Sequence, residues 1–147
     1  MRRLFIIFII GLILALLASA LGYEEPALQQ LIERANAAAP KDQPGLYIEI
    51  AERQLKAADA LYVAGKVDQA RSAVGDVVTY SEKAHDVAIQ TDRRLKNTEL
   101  ASRRMSHRLR DIKRTLNFED QPPVAAAADR LQSLADDLLA HMFGKGK

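Results

Sequence analysis

The chain has 147 residues, with 48% hydrophobic but only 5% aromatic residues and neither cysteine nor tryptophan. That length gives one domain with a modest core, and the lack of cysteine excludes disulfides, thiolate chemistry and a lipid carried on a cysteine. The formal charge of +2 rests on Arg2 and Arg3; without them 19 basic residues face 19 acidic ones, so bulk charge argues for neither nucleic acid nor an anionic membrane.

Residues 1–20 have the pattern of a secretory signal peptide. Met1-Arg2-Arg3 is a positive start, Leu4 to Leu17 is an apolar run interrupted only by Gly11, and Ala18-Ser19-Ala20 supplies the small residues of a cleavage site. Retained, Leu4 to Gly22 would instead be an inner-membrane anchor, since 19 uncharged residues approach the length that spans a bilayer. Both alternatives put residues 21–147, expected as a single helical domain, outside the cytoplasm: periplasmic or secreted in one case, anchored in the other.

Abundant alanine and leucine with few aromatics predict an all-α fold. The first predicted helix covers about 25–39, with Pro26 in its first turn, Glu24 and Glu25 at the positive end of its dipole, and an apolar face of Leu28, Leu31, Ile32, Ala35 and Ala39. Pro40 closes it, and residues 40–45 form a linker. A second helix, about 46–64, carries Ile48, Ala51, Leu55, Ala58 and Tyr62 at three and four spacing. Gly65 ends it, because glycine enters the left-handed conformation without a Cβ penalty. The immediate restart at Lys66-Val67-Asp68 makes the two helices antiparallel neighbours.

The run Ala58-Asp59-Ala60-Leu61-Tyr62-Val63-Ala64-Gly65-Lys66-Val67-Asp68-Gln69-Ala70 resembles the turn of a tetratricopeptide repeat. It has a small residue seven before the turn glycine, an apolar one four before it and an alanine five after, and Val74 also suits the pattern. The resemblance covers residues 46–84 and implies a partner-binding scaffold without catalysis. It departs at Glu82, where such a repeat usually carries proline, and no second copy recurs.

From Lys66 to Asn117 there is no proline, and residues fit for a buried seam recur every three or four positions from Val67 to Leu116. This period predicts a long central helix, about 66–117, with a coiled-coil-like seam. A last helix, about 123–143, follows Pro122-Pro123 and carries Val124, Ala127, Leu131, Leu134 and Leu138. The expected architecture is an elongated bundle in which the helices 46–64 and 123–143 lie antiparallel on the two halves of the long one. The gap between them falls on the small-residue middle, where the chain is free to bend or break: Ala84, Ala88, Thr91, Leu95, Thr98 and Ser102 form a candidate seam for a partner or a second copy.

Nine basic residues crowd one half of that helix: Arg93, Arg94, Lys96, Arg103, Arg104, Arg108, Arg110, Lys113 and Arg114. They make a candidate surface for an anionic lipid headgroup, a polyanion or a protein partner, or a solvated face partly neutralised by Asp129, Asp136 and Asp137. No aromatic is interleaved for base stacking, which argues against nucleic acid. His85, His107 and His141 are scattered without metal-ligand spacing. The serines lack a nucleophile elbow, and there is no glycine-rich phosphate loop. No enzymatic activity, metal, cofactor or small-molecule substrate is therefore expected. The leading expectation is an exported envelope protein presenting helix surfaces to a protein partner or to itself. The alternative is a peripheral binder of anionic envelope components through residues 93–114.

Overall fold

Gly65 turns the chain as its position demands: at φ +73° it allows Gly65 N–H to bond Tyr62 O at 3.0 Å and Lys66 N–H to bond Leu61 O at 2.9 Å. These are the two bonds of a Schellman closure. The computed structural model describes residues 25–144, so the signal-peptide and anchor alternatives for residues 1–22 lie outside the described residues. Among the described residues there are five α-helices: α1 (Glu25–Ala37), α2 (Gln43–Val63), α3 (Val67–Thr91), α4 (Leu95–Thr115) and α5 (Gln121–Gly144), with a 3₁₀ turn at Phe118–Asp120. No strand occurs among the described residues, and the fold is an all-α bundle. The linker expected over 40–45 is shorter than predicted, because Pro44 fits the first turn of α2 and is buried there.

The single helix expected over 66–117 is two helices. The chain breaks at Asp92-Arg93-Arg94, where Asp92 (φ 56°, ψ 31°) and Arg94 (φ 59°, ψ 17°) are both left-handed. Each left-handed residue other than glycine costs about 1–2 kcal/mol, less for an aspartate, whose short polar side chain tolerates the conformation. The reversal lets one core form. Val74 and Val77 of α3 join Leu55 of α2, Met105, Leu109 and Ile112 of α4, and Val124 and Leu131 of α5 in one buried cluster. Fully burying a large apolar side chain contributes about 1.5–3 kcal/mol, so a few extra burials exceed the cost of the break. The seam period is local information. It is equally satisfied by a straight helix and by two helices folded back on each other.

Contacts between polar side chains fix the register. From α3 to α5 they run Arg71–Asp120 at 2.8 Å, Glu82–Arg130 at 2.7 Å, His85–Asp137 at 2.6 Å and Asp92–His141 at 3.6 Å, so these two helices lie side by side and parallel. Glu52–Arg104 and Asp59–Arg108 place α2 parallel to α4 in the same way. Between α4 and α5 the order reverses: Ser106 Oγ donates to Ala128 O at 2.7 Å, while Arg103–Asp136 and Arg110–Asp129 approach to 3.7 and 3.6 Å. Two antiparallel hairpins, α2–α3 and α4–α5, thus pack into a bundle. Helix α1 lies across the first hairpin. Leu31 and Ala35 meet Tyr47, Ile50 and Ala84 in a second buried cluster, and Tyr47 Oη donates to Asn36 Oδ1 at 3.1 Å.

Candidate functional site

The small-residue seam is closed within the chain. Ala84, Ala88 and Ser102 are fully buried and Thr98 nearly so, while Thr91 and Leu95 are half-buried. The gap expected at this level does not exist, because folding back at residues 92–94 brings α4 and α5 over it. Small residues are there because the helices approach closely. The closure leaves polar atoms inside: Ser81 Oγ and Ser102 Oγ have no hydrogen-bond partner, while Ser106 has one in Ala128 O.

The nine basic residues do not act as one surface. Arg103 is held by buried Glu99, whose Oε1 accepts from Nε at 2.8 Å and Nη2 at 2.6 Å. Arg104, Arg108 and Arg110 reach Glu52, Asp59 and Asp129 on neighbouring helices, and Arg114 pairs with Asp111 on its own helix at 3.1 Å. These five are largely neutralised by the bundle. Lys96 is exposed and Lys113 half-buried. Arg93 and Arg94 stand apart in the α3–α4 turn.

There the fold brings together residues distant in the sequence. An open trough of about 670 Å³ is lined by Arg34, Ala37, Ala38 and Ala39, by Asp42, Gly45, Leu46 and Glu49, and by Arg94. A smaller hollow of about 370 Å³ shares Asp42 and Arg94 with it and adds Lys41 and Arg93. Arg94 reaches across to α2: a Cβ placed on Gly45 would stand 3.9 Å from its Nη1. Among the described residues Arg34, Lys41, Arg93 and Arg94 make no ion pair, whereas Glu49 is paired with Arg53 at 2.8 Å. Both α2 and α4 begin at this end, neither with an acidic residue in its first turn nor a side-chain cap hydrogen bond, although the carboxylate of Asp42 stands at the N-cap of α2. Their dipoles add to the positive field. No signal short of the fold joins these cations, which come from three separate segments.

His85 is more constrained than its spacing predicted: Nδ1 lies 2.9 Å from Asp86 and Nε2 lies 2.6 Å from Asp137. Adjacent helical residues point about 100° apart, yet the imidazole spans the gap and ties α3 to α5. No cluster of three metal-ligating side chains occurs among the described residues. Tyr47 and Tyr80 pair with centroids 6.2 Å apart, with Lys83 Nζ at 5.7 and 5.1 Å from the two rings. Tyr62 packs on the other buried cluster, away from this pair. Burial, with Asp76 and Tyr47 adding, raises the Tyr80 pKa. Burial also raises that of Tyr62, with Arg71 opposing and Asp120 adding.

No protein-family model, curated protein or solved structure matches this chain. No helix of the described residues is long and apolar enough to cross a membrane.

Proposed function

We propose that this chain is an exported, non-enzymatic binding module that presents one end of a monomeric helical bundle to a protein partner outside the cytoplasm. The observation that carries the proposal is the division of charge. The arginines of α4 are paired with acids of the bundle, whereas among the described residues Arg34 and Arg94 in the trough, and Lys41 and Arg93 in the hollow beside it, make no ion pair, although Asp42 and Glu49 share the lining. Burial of Ala84, Ala88 and Ser102 argues against the seam as a surface for a second copy and favours a solvent-facing site. The likeness of the α2–α3 turn to a tetratricopeptide repeat, a partner-binding scaffold, points the same way. Export rests on the pattern of residues 1–20.

Light scattering on the purified protein at low and high salt tests the monomeric state. A monomer is expected at both, and a salt-independent dimer would contradict it. A photoreactive residue at Ala38, in the trough, should crosslink a protein from the envelope fraction, while one at Gln132 on α5 should not. Failure at Ala38 would defeat the proposal. An alkaline phosphatase fusion after residue 147 should be active, as export requires.

A further inference from the structure

The trough between the α1–α2 turn and the α3–α4 turn carries more than general attraction for anions. We infer that it seats an acidic segment of a polypeptide partner, whose carboxylates meet Arg34, Arg94 and the Lys41–Arg93 pair while its main chain lies along Ala37, Ala38, Gly45 and Leu46. The inference rests on the binding-module proposal and names the class of partner.

Arg94 supplies the first argument. Its backbone is left-handed at φ 59°, a conformation that glycine adopts freely and arginine does not. Its guanidinium makes no ion pair among the described residues, although it reaches the first turn of α2. The bundle gains no charge pairing from this side chain. A ligand carboxylate would supply that pairing, because an arginine fork donates two parallel hydrogen bonds to it.

The shape of the trough supplies the second. Alanines, a glycine and a leucine among its lining let an extended chain lie close, and its cations are divided between two adjoining hollows, Arg34 in one, Lys41 and Arg93 in the other, with Arg94 shared. Asp42 shares both hollows. Its carboxylate would repel a compact phosphate, but a peptide can place an apolar or amide group beside it.

Calorimetric titration of the purified protein with a peptide alternating glutamate and alanine tests the proposal. Binding should weaken as salt is raised, because the trough is open and screened. Arg94→Gly should lower affinity about tenfold or more, the scale of one lost charge-assisted bond. That variant relieves the left-handed strain and so retains the fold. Arg108→Gln, on the paired surface, should leave affinity unchanged. Absence of binding, an equal loss in both variants, or binding to phosphatidylglycerol vesicles in place of the peptide would each overturn the proposal. Light scattering on the same samples separates the two proposals: a seam dimer would defeat the monomeric module, whereas a monomer that ignores the peptide would defeat only the acidic-segment assignment.

Discussion

Ala88→Leu distinguishes the folded-back bundle from an extended one by the sign of its effect. Ala88 is fully buried on α3, at the level where close helix approach leaves no room for three more carbon atoms. Overpacking a core position costs about 1–3 kcal/mol. For the roughly 120 described residues, where each kcal/mol moves the midpoint by about 4 °C, the melting temperature should fall by about 4–12 °C. An extended helix with an open seam predicts the reverse, since leucine would enlarge an apolar stripe available to a partner and drive self-association. Thermal unfolding followed by circular dichroism at 222 nm, with light scattering at the same concentration, reads both quantities. A melting temperature that is unchanged or raised, accompanied by dimer formation, would refute internal closure of the seam.

Other expected outcomes follow from the polar atoms that closure leaves inside. Ser106→Ala loses the bond to Ala128 O and should cost about 0.5–1.5 kcal/mol. Ser102→Ala removes a hydroxyl with no partner and should be neutral or stabilising; urea midpoints at constant m-value compare the two. Tyr62 Oη is also without a partner, so Tyr62→Phe should not destabilise the protein at neutral pH. The pKa values of Tyr62 and Tyr80 are raised above the ordinary 10.0, so the unfolded chain ionises first. Their contribution is fully present below pH 10 and is lost as pH climbs through the raised values. Stability measured from pH 9 upward should therefore decline, and less steeply in Tyr62→Phe. An equal decline in both proteins would contradict the sign.

Much of the fold could be read from local chemistry. Gly65 and the short restart at Lys66 defined the α2–α3 hairpin, and Pro122-Pro123 with the leucine face defined α5, because each signal acts within a few residues. The break at Asp92-Arg93-Arg94 has no such mark. It contains neither glycine nor proline, and the cost of two left-handed residues is met only by contacts among helices distant in sequence. The same limit governed the site. Nine cations on one helix look like one surface until Glu52, Asp59 and Asp129 arrive from other helices to pair with Arg104, Arg108 and Arg110, and Glu99, buried on the same helix, holds Arg103. The trough, conversely, needs Arg34 and Lys41 brought to Arg93 and Arg94 by the reversal itself. Ser81, Ala84, Ala88 and Ser102 were recognisable as a seam, but their small size had two meanings, an open gap or a tight approach, and only the fold chooses between them.

The reversal at residues 92–94 builds both the bundle and the trough, and a distance across it is the decisive measurement. The chain contains no cysteine, so spin labels on introduced cysteines at exposed Ser72 and Thr115 report one distance by double electron–electron resonance. In the bundle both positions lie at the end where Arg71 meets Asp120 at 2.8 Å, and a single short distance is expected. A continuous helix would separate them by about 65 Å at 1.5 Å per residue, and a distribution centred there would contradict the fold and the trough that depends on it.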